Sequence, residues 1–143
     1  MFSRIVVGLD GSPQSDRAFT VARDMAALTK AAVTIVHVRE MMLAPAVGGV
    51  PRRIDEDEIE TKIRTQADEL AKAGNGGELQ IVATTSAGGP AHDIANVARD
   101  VGAELIVVGT RGMGVIAGLL LGGVTQRLLQ IAPCPVLAVP VPS

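Results

Sequence analysis

Short apolar runs alternate along the chain with stretches in which apolar residues recur every three or four positions. Arg4–Leu9 (RIVVGL) reads as a buried strand. Asp10-Gly11-Ser12-Pro13 breaks it and opens a helix, with Ser12 as N-cap and Pro13 at the first helical position. That helix is expected to run to about Thr29, with Ala18, Val21, Ala22, Met25 and Leu28 on its inner face. Ala32–Val38 (AVTIVHV) is the second strand, followed by a loop from Glu40 to Pro51 that is unusually apolar. A charged helix is expected over Arg53–Ala73, with Ile54, Ile59, Ile63, Ala67 and Leu70 inward and Glu60–Arg64 as an outer pair. Gly74-Asn75-Gly76-Gly77 stops it. Leu79–Thr84 is the third strand, Ala91–Val101 the third helix and Glu104–Val108 the fourth strand. A glycine-rich loop from Gly109 to Gly123, a short helix over Val124–Ala132 and a last strand, Pro135–Val139, complete the order.

Continuously apolar strands joined by helices predict an α/β fold with a parallel sheet covered on both faces. The length of 143 residues fits a single domain, 1–143. Hydrophobic residues make up 48% of the chain, so a full core is available, and with 2 Phe and no Trp or Tyr it must be aliphatic. The lack of aromatic stacking platforms and a net charge of −2 argue against a nucleic-acid partner. The apolar stretches are too short for a membrane helix or a secretory signal, so a cytoplasmic location is expected. The single Cys134, between Pro133 and Pro135, excludes an internal disulfide, and burial is its default. His37 closes an apolar strand, where packing is favoured over a catalytic role.

Ligands of doubly wound sheets bind beyond the carboxyl ends of strands where the strand order reverses. Two strand ends here carry unusual residues: Gly8-Leu9-Asp10-Gly11-Ser12 and Gly109-Thr110-Arg111-Gly112. The second opens GTRGMGVIAGLLLGG, with six glycines in fifteen residues, and leads into a helix N-terminus at Gly122-Gly123-Val124-Thr125. Glycines let amides approach a ligand closely, and free amides with the helix dipole favour an anion. Arg111 adds a positive charge. Such a loop is a phosphate cradle in outline. It has no Gly-Lys-Ser/Thr, so it is not a Walker A loop, and the first strand is not followed by a dinucleotide fingerprint. Asp10 fits either a ligand contact or a cap of its own turn.

The spacing G-x2-G-x9-G at Gly109, Gly112 and Gly122, the opening IVVGLDGSPQSDRA, the strand VTIVHV and the ending APCPVLAVP together resemble the universal stress protein family over nearly the whole chain. The resemblance implies a three-layer α/β/α domain with a five-stranded parallel sheet of order 3-2-1-4-5, as in the adenine nucleotide alpha hydrolases. It implies that the cofactor is ATP, with Mg. The Val38 backbone would meet adenine, and Leu9 and Asp10 would lie near the adenosine. Gly109, Arg111 and Gly112 would line ribose and phosphates, and Gly122, Gly123, Val124 and Thr125 would hold the phosphates. In place of the Ser or Thr that usually follows the last motif glycine stands Gly123, which removes one hydroxyl contact; Thr125 is a substitute source. The resemblance also implies a homodimer through the last strand, Pro135–Val139, an apolar edge that needs cover.

The leading expectation is an ATP-binding stress-response or regulatory protein. No catalytic residue is assigned, no metal ligands stand out, and turnover would be at most slow ATP hydrolysis. The alternative is a nucleotide-free homodimeric scaffold or holdase, supported by Gly123 and by the apolar stretches Met41–Val50 and Val115–Leu121.

Overall fold

The computed structural model describes residues 2–39, 43–47, 50–53, 56–83, 89–110 and 122–141. Its elements in chain order are β1 (Arg4–Gly8), α1 (Pro13–Thr29), β2 (Ala32–Arg39), β3 (Leu43–Val47), β4 (Val50–Arg53), α2 (Glu56–Lys72), β5 (Gly76–Ala83), α3 (Gly89–Val101), β6 (Leu105–Gly109), α4 (Gly123–Ile131) and β7 (Val136–Val139). Five strands form one sheet in the order β5-β2-β1-β6-β7, and each of its pairings is parallel. With the β3–β4 pair set aside, this is the expected order 3-2-1-4-5. Chain order reverses between β1 and β6, which lie side by side through Ile5↔Leu105, Val6↔Ile106 and Val7↔Val107.

Alternation within each strand divides the core into two layers. Ile5, Val7, Val33, Ile35, Leu105 and Val107 face α1 and α2. Val6, Val36, Ile106 and Val108 face α3 and α4. The first layer is closed by Ala18, Phe19, Ala22 and Ala26 from α1 and by Ile63, Ala67 and Leu70 from α2. The second is closed by Ala91, Ile94, Ala95 and Ala98 from α3 and by Leu128 from α4. The inner face of α1 therefore runs Ser15-Ala18-Phe19-Ala22-Ala26, rotated from the expected stripe. Val21 and Met25 are only partly buried, and Leu28 is 86% exposed.

Three expectations are corrected. The apolar loop from Glu40 to Pro51 contains an antiparallel hairpin, β3 with β4, joined by Leu43↔Arg53 and Val47↔Val50. Helix α2 accordingly begins at Glu56, where three acids in the first turn suit the positive end of its dipole. The glycine run after α2 does more than stop the helix, because β5 begins at Gly76. At Gly77 (φ +85°) a β-carbon would sit 2.4 Å from the Ala67 carbonyl oxygen, so only glycine lets the strand turn beneath α2. Asn75, buried beside it, donates from Nδ2 to the carbonyls of Ala26 and Ala31 at 3.2 Å each. It thereby satisfies the chain between α1 and β2. Glu60 keeps its favourable charge interaction with Arg64, as expected, and in addition hydrogen-bonds Arg39 of β2.

Candidate functional site

One wall of the site is the turn after β1. The Leu9 amide donates to Val36 O at 3.0 Å, one rung past the end of the β1–β2 ladder. Asp10 Oδ1 accepts the Ser12 amide at 2.9 Å, an Asx-type turn, and Ser12 Oγ accepts the Ser15 amide at 3.1 Å as N-cap of α1. Asp10 thus does cap its own turn, which also holds the carboxylate in a defined place at the carboxyl end of β1. Gly11 (φ +81°) lies under α2: a β-carbon there would meet Ile59 Cγ2 at 2.8 Å. Lys62 Nζ donates to the Gly11 carbonyl at 3.3 Å and pairs with Asp16 at 2.6 Å.

The opposite wall is the end of β6 and the start of α4. Thr110 N donates to Val139 O at 3.1 Å, and Gly122 N donates to Thr110 O at 2.6 Å. Thr125, buried in the first turn of α4, donates its hydroxyl to Gly109 O at 2.7 Å. These bonds close the base of the glycine loop and bring its two ends together. The first α-helical bond of α4 is Gln126 N to Gly122 O. The amides of Gly123, Val124 and Thr125 therefore precede the helix ladder, and the N-cap Gly122 supplies no side-chain partner. A β-carbon at Gly123 would enter open space.

The structure brings Leu9, Asp10, Gly109, Gly122, Gly123, Val124 and Thr125 to the carboxyl ends of β1 and β6, at the reversal. Val38 lies at the same end of β2, paired with Val82 and beyond the last rung with β1. Arg111 and Gly112 lie outside the described residues. The hydroxyl of Thr125 and the amide of Gly122 are used in closing the loop, which leaves backbone amides as the donors at the α4 end.

His37 is more than a packing residue. It is 3% exposed, with Nδ1 2.8 Å from Leu9 O and Nε2 3.0 Å from Glu56 Oε2. Its place could have been read from strand parity, since Val33, Ile35 and His37 share a face. Its partner Glu56 could not, because the contact spans a hairpin and a change of element. Nearby, the Arg39 guanidinium holds the Glu60 carboxyl below its ordinary value, and Glu60 in turn raises Arg39. Burial pushes the Cys134 thiol up, away from reactive thiolate.

A doubly wound sheet whose reversal point lies between an acid-bearing turn and the open N-terminus of a helix defines the class: a three-layer α/β domain with five parallel strands. The sequence profile of the universal stress protein family matches residues 1–140. The chain belongs to that family. It is 34% identical to the universal stress protein YxiE of Bacillus subtilis over 148 aligned positions, covering 97% of this chain and 99% of the relative. A solved universal stress protein in complex with cAMP is 28% identical, with a TM-score of 0.67, covering 99% of this chain and 98% of that one. The universal stress protein of Archaeoglobus fulgidus in complex with dAMP is 27% identical, with a TM-score of 0.65, covering 96% and 97%.

Proposed function

We propose that this universal stress protein binds an adenine nucleotide, ATP with Mg, in the crevice between Asp10 and the start of α4, and acts as a nucleotide-dependent regulatory protein in the cytoplasm. The observation that carries this reading is the set of three amides, Gly123, Val124 and Thr125, ahead of the α4 ladder at the sheet's reversal point. Two relatives of the same fold, crystallised with cAMP and dAMP, support the adenine class. Leu9, Asp10 and the Val38 backbone form the nucleoside end. Gly109, Arg111 and Gly112 would line the ribose and phosphates, with Gly122 at the phosphate end. The α4 amides take the phosphates, while Thr125 pins the floor through Gly109. Mg would be carried in by the phosphates.

Isothermal titration with Mg-ATP, AMP and cAMP tests the reading. A folded protein that gives no heat with any of them at millimolar concentration sinks it.

A homodimer through β7 belongs to the same proposal. Within the described sheet β7 pairs only with β6, and this edge strand carries the exposed Leu137 (36%), followed by Val141 (45%). An apolar edge of this kind needs a partner strand. The same edge supports a second reading, a nucleotide-free dimeric scaffold. Gly112→Val separates the two: it abolishes nucleotide binding in the first and leaves partner binding untouched in the second.

A further inference from the structure

The first two turns of α2 meet the Asp10 turn at three points spaced along one helix face. Glu56 reaches it through His37, which contacts Leu9 O. Ile59 packs against Gly11. Lys62 donates to the Gly11 carbonyl. Two of these contacts are fixed by shape and by a permanent charge, but the third depends on a proton.

A carbonyl oxygen only accepts, so His37 Nδ1 carries a hydrogen toward Leu9. The remaining bond, between Nε2 and Glu56 Oε2, then needs one further proton. That proton sits either on Nε2, opposite an ionised carboxylate, or on the carboxyl, opposite a neutral ring. Both arrangements make the buried pair electrically neutral overall. Removing the proton leaves the Nε2 lone pair facing a carboxylate, which is repulsive.

We propose that His37 is a positioning residue for the nucleotide site, tying the Asp10 turn to α2 through Leu9 O on one side and Glu56 on the other, so that breaking the tie loosens the turn and weakens the ligand. This rests on the nucleotide reading given above. Among the described residues, Arg39 of β2 interacts through charge with Glu56, Asp57 and Glu60, and Glu60 with His37, while the Lys62–Asp16 pair lies further along α2. Glu60 is engaged by Arg39 and Asp16 by Lys62. Leu9 uses its amide on Val36 and its carbonyl on His37, so a change at His37 passes directly to the peptide that precedes Asp10.

The test compares wild type, Glu56→Gln and His37→Asn by titration with AMP. A glutamine amide donates to the Nε2 of a ring whose hydrogen is on Nδ1, so E56Q keeps the tie. An asparagine reaches Leu9 but not Glu56. H37N is expected to bind roughly fivefold or more weakly than wild type, in the ordinary range of a coupling between sites. E56Q should bind as wild type does. H37N as tight as wild type, or E56Q as weak as H37N, overturns the proposal. Nitrogen-15 spectra of the imidazole provide a readout that needs no ligand. A protonated Nδ1 with Nε2 in a proton-shared bond supports the tie, and a bare Nδ1 overturns it. If no nucleotide binds to any of the three proteins, the function proposed above falls. Amide protection in α2 then decides the tie: lower protection in H37N than in wild type and E56Q keeps it, and equal protection in all three removes it.

Discussion

Gly123 and Thr125 are two positions apart at the head of α4 and do opposite things with a hydroxyl. Thr125 has one and uses it inward, on Gly109 O at 2.7 Å. Gly123 has none, and its missing side chain would project into open space. Gly123→Ser should therefore fit without displacing any neighbour and offer an added donor at the phosphate end. Tighter Mg-ATP binding by up to about tenfold is expected, since one neutral hydrogen bond contributes roughly 0.5–1.5 kcal/mol. Calorimetric titration of the variant against wild type checks it, and unchanged affinity would remove the hydroxyl argument. Thr125→Val, by contrast, should lower stability by about 1 kcal/mol through the lost bond to Gly109, read as a lower midpoint in urea. Thr125→Ser should recover most of it. Both glycine and threonine were visible as candidates in the sequence, yet their division of labour was not. A hydroxyl's partner depends on which backbone oxygen the fold brings within about 3 Å.

At the scale of elements, α2 is the piece whose role grew most. Its inner stripe, Ile63, Ala67 and Leu70, was legible from helical spacing and is buried as expected. Its start was misplaced because an apolar, proline- and glycine-containing stretch reads as a loop, whereas β3 and β4 pair with each other as a hairpin. Its exit onto β5 depends on Gly77, where φ is +85° and Ala67 O leaves no room for a β-carbon. Gly77→Ala should cost about 2 kcal/mol or more, from left-handed strain together with a backbone clash, and would be measured by thermal or chemical unfolding. A neutral outcome would mean that the start of β5 adjusts freely. Further up the helix, Arg39 and Glu60 link α2 to the end of β2. Because the folded state depresses the Glu60 carboxyl below its ordinary 4.5, this link contributes at pH above that value. It is lost as pH falls through the depressed folded value. Arg39→Met should accordingly reduce stability at neutral pH and flatten the acid limb of the stability curve. Melting temperatures across an acid series, with wild type beside the variant, give the comparison.

For the whole molecule, the exposed edge β7 sets the expectation of pairing between copies. Leu137, the exposed apolar residue of that edge, lies on the same sheet face as Val139, and Leu137→Lys places a charge there. Light scattering at tens of micromolar should report a dimer for wild type and a monomer for the variant, with melting temperature little changed. A monomeric wild type would withdraw the edge as an interface. Nucleotide titration of the monomeric variant then tells whether the crevice is complete within one copy, as the positions of Asp10 and α4 on a single sheet imply.

Hydrophobic periodicity alone determined the five strands of the main sheet, the helices and their alternation, but not the β3–β4 hairpin. Alternation of that kind forces a parallel sheet covered on both faces, because buried apolar strands need crossover helices. The glycine spacing after the fourth core strand, together with the chain's opening and closing motifs, pointed to the family and to the end of the sheet where a ligand belongs. These features are local: each is written in a few consecutive residues and survives without knowledge of neighbours. What only the tertiary structure decided are contacts between residues far apart in the chain. It joined Asn75 to the end of α1, Thr125 to Gly109, Lys62 to Gly11, and His37 to both Leu9 and Glu56. Apart from the exposed Lys62, each is a polar group that folding removes from water and that must find a partner, and the partner is whatever donor or acceptor the packed elements bring within reach.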